Sequence, residues 1–304
     1  MATARTDKNS GISQFHRQAF GRTPLEGRPS AGDLAPTAML KHKPSGDPAR
    51  DSKLFIGSLE KGFRLLECFE SSHRRLSLTK LAQLSGLDNS SLQRLLHTLM
   101  TLGYLRKDIN KLYALTPRML HLGTNYLRTN DLVERATPLL QIAHAKSGET
   151  INLVELDGAD TIFVARFLAE HPINIWILLG SRTPVYCSAA GRVMLAQMPE
   201  TEARAIVDRC DRRAFTSRTL TATDAIMAKV RQARMDGYAV SEEEFMEGDV
   251  SVGAPVFDRT GAVAAAVSCP VSTLRWKSAK VRQKVITLVR DNARLISNGE
   301  RATP

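Results

Sequence analysis

The chain has 304 residues, 43% apolar and 24% charged, with a formal net charge of +11. That length allows two domains with a core each, and the composition is globular rather than fibrous or wholly disordered. No apolar run is long enough to span a bilayer, and the N-terminal region lacks the apolar core of a secretory signal, so a cytoplasmic location and no membrane partner are expected.

The charge is unevenly spread. Residues 1–53 carry +4, residues 54–116 carry +4, and residues 132–304 carry only +2. A basic excess in the first third points to a polyanionic partner without saying which. The cysteines, Cys68, Cys187, Cys210 and Cys269, are far apart and form no CxxC pair, so reduced thiols are expected rather than a zinc site or a disulfide framework. Neither a Walker-type loop nor a GxGxxG after a strand occurs, and no cofactor is expected.

Residues 1–53 are rich in Pro, Gly, Ser, Arg and Ala and read as a disordered, mildly basic tail. At Ser58 the texture changes. Leu59, Phe63 and Leu66 recur at helical intervals, with Ser58 as the expected cap and Gly62 as a point of close packing. LTKLAQLSG (78–86) follows as a second helix, with Gly86 suited to its left-handed C-terminal position. Asp88 or Asn89 then caps a third helix. In that helix Leu92, Leu95, Leu96 and Leu99 share one face, and Ser90, Gln93, Arg94 and His97 gather opposite, without an acid.

After Gly103, Tyr104–Arg106 and Leu112–Leu115 read as two short strands around Lys107-Asp108-Ile109-Asn110-Lys111. Helix, turn, helix and basic-tipped hairpin make a winged helix-turn-helix. Its second helix would read base edges in the major groove of double-stranded DNA, and wing lysines would neutralise phosphates. Leucine-rich helix pairs of interaction modules are the bland alternative.

Pro117 is expected at N1 of a linker helix over 117–131. Beyond it the texture is α+β. A helix from Asp131 closes at Gly148. INLVEL and TIFVARF form a hairpin about Asp157-Gly158-Ala159-Asp160, and INIWILL (173–179) is a third strand. AAGRVMLAQM, PETEARAIVDRC and 223–236 are helices; VSVGAPVFD and AVAAAVSCP are strands about Arg259-Thr260-Gly261; a last helix covers about 278–297. Strands on both sides of a helical block suggest one antiparallel or mixed sheet with helices packed on it.

From about Ser58 to Ser297 the chain resembles the IclR family of transcriptional regulators. The resemblance rests on the order of SLEKGFRLLECF, LTKLAQLSGLDNSSLQRLLHTLMTLGYL, YALTPRMLHLG, LLGSRTPVYCSAAGRVMLA, DGYAVSEEEFMEGDVSVGAPVFDRTGAVAAAVS and the closing helix. Beyond the tail (1–53), it implies an α+β chain in three parts: an N-terminal winged helix-turn-helix (54–116), a linker helix (117–131) and a C-terminal GAF-like α/β effector-binding domain (132–300). It also implies homodimers or homotetramers, an operator as partner, and a small organic acid, carboxylic or aromatic, as effector.

Carried over residue by residue, the resemblance puts base readout on Gln93 and Arg94, base or phosphate contact on Ser90 and Ser91, and wing phosphate contacts on Lys107 and Lys111. It puts the ligand against Ile175, Ala189, Ala190, Ser241, Ser251 and Ser268, with Arg182 as a structural turn residue. Ser241 stands where the family commonly has an acid, and Cys269-Pro270 replaces a more usual apolar-then-small pair.

The function so implied is a ligand-responsive regulator of a catabolic operon. The alternatives are a constitutive DNA-binding regulator whose C-terminal domain only oligomerises and, remotely, an enzyme using Cys187 or Cys269 as nucleophile. The enzyme needs a nearby base, and only His144 and His171 follow residue 121.

Overall fold

The computed structural model describes residues 52–69, 73–169 and 177–301. The expected tail, apart from its last two residues, and most of the expected third strand, with Ile175, lie outside them.

Helix α1 (Gly57–Leu66) starts at the N-cap Ile56, which makes no side-chain cap bond, so Ser58 sits inside the helix and is not its cap. The chain needs no cap there because Leu65, fully buried, anchors the helix through its inward face. Gly62 does not mark a tight approach: a Cβ there would meet only Leu95 Cδ2, at an ordinary 3.9 Å. Helix α2 (Leu78–Ser85) is capped by Ser77, whose Oγ accepts from Lys80 N, and closed by Gly86 at φ 66°. Helix α3 (Asn89–Thr101) is capped by Asp88, which accepts from Ser91 N at 2.9 Å. Strands β1 (Leu105–Lys107) and β2 (Tyr113–Leu115) pair antiparallel as the wing. Leu65, Leu76, Leu81, Leu92, Leu96, Leu105 and Tyr113 form one small core under these elements.

Helix α4 (Arg118–Thr129) follows, with Pro117 at the N-cap rather than at N1. Helix α5 (Asp131–Ser147) is capped by Asn130 and closed by Gly148 at φ 68°. Strands β3 (Ile151–Asp157), β4 (Asp160–Phe167) and β5 (Arg182–Pro184) come next, and Ile177–Leu179 are not strand. A helical block follows: α6 (Ala189–Leu195), α7 (Glu200–Arg209) and α8 (Thr223–Asp236), the last closed by Gly237 at φ 72°. The chain ends with β6 (Ala239–Glu242), β7 (Asp249–Phe257), β8 (Val263–Ser272), a short α9 (Thr273–Trp276) and α10 (Ala279–Arg301). Strand β6, four residues leading into three glutamates, was not expected; it forms because β7 offers it an edge.

The six strands make one antiparallel sheet in the order β5-β4-β3-β8-β7-β6. Alternation along the strands builds two cores. Leu153, Val252, Ala254, Val267 and Val289 pack on one face with α5 and α10; Val154, Phe163, Ala266 and Val193 pack on the other with α6, α7 and α8. One clamp locks the first face. Arg275 donates twice to Glu149, at 2.6 and 2.8 Å, and Lys284 Nζ donates at 2.9 Å. Burial pushes the Glu149 carboxyl up, but Arg275 and Lys284 outweigh it and hold it down at about 2.

Candidate DNA reader and ligand cavity

The outer face of α3 is open. Ser90, Gln93, Arg94, His97 and Thr101 are exposed, while Leu92 and Leu96 are buried beneath them. At about 100° per residue, Ser90, Arg94, His97 and Thr101 run down the middle of that face, and Gln93 flanks it. Ser91 is half-buried. It turns toward the groove between α1 and α3, which Arg94 also borders. The bond from Ser91 N to Asp88 stabilises the ionised carboxylate and draws its pKa below the usual range.

The wing carries its cations on a defined turn. Asp108 Oδ1 accepts from Asn110 N at 2.9 Å and Leu112 N at 3.0 Å, and Lys111 takes the left-handed conformation at φ 61°. Lys111 and Lys107 are exposed, and Lys107 Nζ lies 5.1 Å from the Tyr113 ring centre. Arg106, beside them, is exposed too. Sequence reasoning left it and Thr101 out, although both lie on the periods it used.

The second site is built by strand register. On the sheet face toward α6, Arg166 of β4 pairs with Asn152 of β3, Asn152 with Ser268 of β8, and Ser268 with Gly253 of β7. A hydrogen-bonded chain runs along this row: Arg166 Nη1 donates to Asn152 Oδ1 at 3.2 Å, and Asn152 Nδ2 donates to Ser268 Oγ at 3.3 Å. The row continues through Gly253 to Ala239 of β6, and at Gly253 a Cβ would press on the Ala189 and Ala190 backbone at 3.0 Å, so the glycine lets α6 sit directly on the sheet. Two residues along, Ser241 of β6, Ser251 of β7 and Pro270 of β8 form the next row, and Asp249 lies beyond it.

These rows and the start of α6 enclose a cavity of about 50 Å³, lined in part by Asn152, Arg166, Ala190, Ser251 and Asp249. That is room for a few waters. Of the expected ligand residues, Ala190, Ser241, Ser251 and Ser268 meet there. Ala189 is fully buried against Gly253 and does not line it. Ser241 is buried with its Oγ donating to Cys187 O at 2.8 Å, which leaves that oxygen an acceptor. Arg182 is engaged elsewhere, donating to Asp157 at 2.6 Å and Asp160 at 3.2 Å across the β3–β4 turn.

Sequence reasoning missed the charged lining. Burial pushes the Asp249 carboxyl up to about 7 against the pull of Arg166, and burial lowers Arg166 to about 10. Glu244 also lines the cavity, and both its oxygens are taken by Arg192, a guanidinium with no exposed surface.

The profile of the IclR helix-turn-helix domain matches residues 58–108, and that of the bacterial transcriptional regulator IclR C-terminal domain matches residues 124–298. The chain belongs to the IclR family. It is 30% identical over 273 residues to the Pca regulon regulatory protein of Pseudomonas putida, spanning 88% of this chain and 91% of that one. It is 28% identical over 264 residues to the p-hydroxybenzoate hydroxylase transcriptional activator of Acinetobacter baylyi, spanning 85% and 97%. A crystal structure of a transcriptional regulator from Rhodococcus sp. RHA1 superposes with a TM-score of 0.70 at 32% identity, over 81% of this chain and 99% of that one. An IclR homologue from Microbacterium hydrocarbonoxydans, solved with 4-hydroxybenzoate, shares the fold at a TM-score of 0.66 and 21% identity, over 81% and 100%.

Like its IclR relatives, the chain is a DNA-binding transcriptional regulator and not an enzyme. Its thiols agree with that. Burial raises Cys187 and Cys269 well above the ordinary thiol range, so neither is a ready nucleophile. His144 Nδ1 is directed at Glu149 O, 2.9 Å away. Among the described residues no group of His, Cys, Asp and Glu can hold a metal, and no helix is long and apolar enough to cross a membrane.

Proposed function

We propose that this IclR-family regulator senses a small organic acid, carboxylic or aromatic, in the cavity under α6 and answers by changing its grip on a double-stranded operator near a catabolic operon. One observation carries the reading. Arg166, Asn152, Ser268, Ser251 and Ser241 bring polar groups from five strands to one enclosed site, in a chain whose other end presents an acid-free reading helix. Buried polar groups are costly unless paired, so concentrating them around a cavity suits a polar ligand. The name of the Acinetobacter baylyi relative, which mentions p-hydroxybenzoate, and the 4-hydroxybenzoate held by a protein of this fold support an acid of that kind.

In this reading residues 54–116 are the reader, 117–131 the linker and 132–300 the sensor. Gln93 and Arg94, joined by His97, reach base edges; Ser90 and Ser91 reach bases or phosphates; Lys107 and Lys111 reach phosphates. Ala190, Ser241, Ser251 and Ser268 contact the ligand, and Ala189 supports them from behind. The coupling path runs through α4, where Tyr126 Oη donates to Glu155 Oε2 of β3, and Asn130 Nδ2 donates to Glu155 Oε1 at 2.8 Å. Leu59 and Phe63 on α1 and Leu122 and Tyr126 on one face of α4 are exposed, apolar surface that suits a homodimer and, by further pairing, a homotetramer. Such a protein works in the cytoplasm, where its DNA is.

Thermal melting against short keto, dicarboxylic and aromatic acids tests the sensor. A saturable rise in Tm, worth about 2.7 kcal/mol at a hundredfold excess over Kd, abolished by Ser251→Ala or Ala190→Trp, is expected. The small cavity volume favours a second reading, a constitutive regulator whose C-terminal domain only oligomerises. A flat panel would select it.

A further inference from the structure

Among the described residues Ile109 is the most exposed large apolar side chain, at 96%. A lone apolar side chain in solvent is ordinary. This one stands at the tip of the wing, on a turn built to hold it there. Asp108 Oδ1 accepts from Asn110 N and Leu112 N, and its Oδ2 accepts from Arg75 Nη1 at 3.3 Å. The backbone closes beneath: Asp108 N donates to Leu112 O at 2.9 Å, and Lys111 N donates to Asp108 O at 3.0 Å. A bridge from Leu76 to Tyr113 ties the base of the wing to the chain before α2. The same bonds leave the tip cationic. Asp108 is the only acid from Gly103 to Thr116, and both its oxygens are occupied. Arg106, Lys107 and Lys111 are exposed around the isoleucine, and the Arg75 side chain keeps 57% of its surface in solvent while it holds Asp108.

A cationic tip with an aliphatic apex suits a polyanion that also offers apolar surface, as the walls of a DNA groove do. The major groove, about 12 Å wide, is the place of the reading helix α3. Strand β1 starts at Leu105, just after α3 ends at Thr101, and the three-residue strands carry the tip outward by about 10 Å. Beyond one phosphate strand from the major groove lies the minor groove, about 6 Å wide, which is narrow for a two-stranded ribbon and wide enough for one side chain. We propose that the wing tip is a minor-groove probe: Ile109 packs into the minor groove beside the stretch read by α3, while Lys107 and Lys111 hold phosphates at its two edges. The proposal rests on DNA reading by α3 and adds a second recognition element to it. Isoleucine is among the apolar side chains that minor-groove proteins insert. In that groove a G·C pair projects an N2 amino group and an A·T pair does not. An aliphatic probe cannot accept from that amino group and would strip its water, so the tip disfavours it.

Fluorescence anisotropy of the full chain, on a duplex site selected from a random-sequence pool and over a range of salt, tests this. Two chemical copies of the site are added. Inosine in place of guanine removes every minor-groove amino group; diaminopurine in place of adenine adds one at every A·T pair; both keep the major-groove edges that α3 reads. Ile109→Ser should weaken binding to the selected site by about tenfold, the loss of most of one buried aliphatic side chain. The slope of log affinity against log salt should stay unchanged, because an apolar contact releases no counterion, whereas Lys111→Ala should make it shallower by about 0.9. Ile109→Leu should keep most of the affinity. The wild type should bind the inosine copy about fivefold or more tightly than the diaminopurine copy, and Ile109→Ser should lose most of that preference. A melt shows that each variant is folded; if Ile109→Ser is not, Ile109→Thr replaces it. Wild-type affinity in Ile109→Ser, a loss accompanied by a shallower salt slope, or a copy preference that survives in Ile109→Ser overturns the proposal and leaves reading by α3 intact. If selection returns no duplex that the wild type binds, reading by α3 itself falls, and this proposal with it.

Discussion

The reader and the sensor place their polar chemistry in opposite ways. On α3 and the wing, Ser90, Gln93, Arg94, Lys107 and Lys111 stand in solvent over a small leucine core. In the sensor, Asn152, Ser241, Ser268, Arg192 and Glu244 are buried, and each is hydrogen-bonded. The difference follows from the partners each region suits. A duplex is large, brings its own water and is held by exposed charge. A small molecule must be held by groups already stripped of water, and such groups must be paired to be tolerated at all. Substitutions should therefore damage stability in the sensor and binding in the reader.

The largest expected effect is at Glu244. Its change to Ala leaves the Arg192 guanidinium buried and unpaired, which should cost about 3–5 kcal/mol in urea denaturation. A loss below 1 kcal/mol would mean that the sensor tolerates polar groups as the reader does. Next is a pH effect at Asp249. Burial raises its native pKa to about 7 from the ordinary 3.8, so the unfolded chain releases that proton first. Stability is then lost as pH rises from about 4 through about 7. Arg166 opposes this by favouring the ionised form, and Glu244 is held to Arg192. Asp249→Asn should gain on the wild type by up to about 3 kcal/mol between pH 5 and pH 8. Glu149, held low by Arg275 and Lys284, acts with the other sign: its contribution is lost only as pH falls below about 4.5 toward about 2.

In the reader the expected losses are in binding. Arg94→Ala should weaken operator binding by about 1–3 kcal/mol and relax specificity at one position, with stability within about 0.5 kcal/mol of wild type. Fluorescence anisotropy against cognate and mismatched duplexes, beside a thermal melt, separates the two. Smallest is Gly62→Ala, which should raise stability by at most about 1 kcal/mol, because the helix gains and the new methyl finds room near Leu95.

The reader was legible because its signals are local. Leucines at helical spacing, Asp88 before α3, Gly86 after α2 and a basic five-residue tip all lie within thirty residues of one another. The sensor's strands were mostly legible from alternation, but its charged lining was not. Arg166 and Asp249 are 83 positions apart and come to one cavity only through the strand order, which sets β3 and β8 between their strands. Nothing in TIFVARF or EGDVSV alone marks those two as cavity residues. The resemblance led to Ser241, Ser251 and Ser268, and register then supplied their neighbours. The misreadings share one cause. Ser58, Gly62 and Pro117 were judged by local propensity, and tertiary packing fixed the ends and contacts of those helices instead.

The central claim is that ligand binding at the cavity changes DNA binding at α3. Its most direct test is anisotropy of the full chain on a duplex site selected from a random-sequence pool, with and without saturating 4-hydroxybenzoate or 3-hydroxypropionate, for wild type and Ala190→Trp. The account predicts that the acid that binds changes operator affinity by about fivefold or more in the wild type, and that Ala190→Trp keeps DNA binding while losing the response. An acid that binds the wild type and leaves operator affinity unchanged would contradict it.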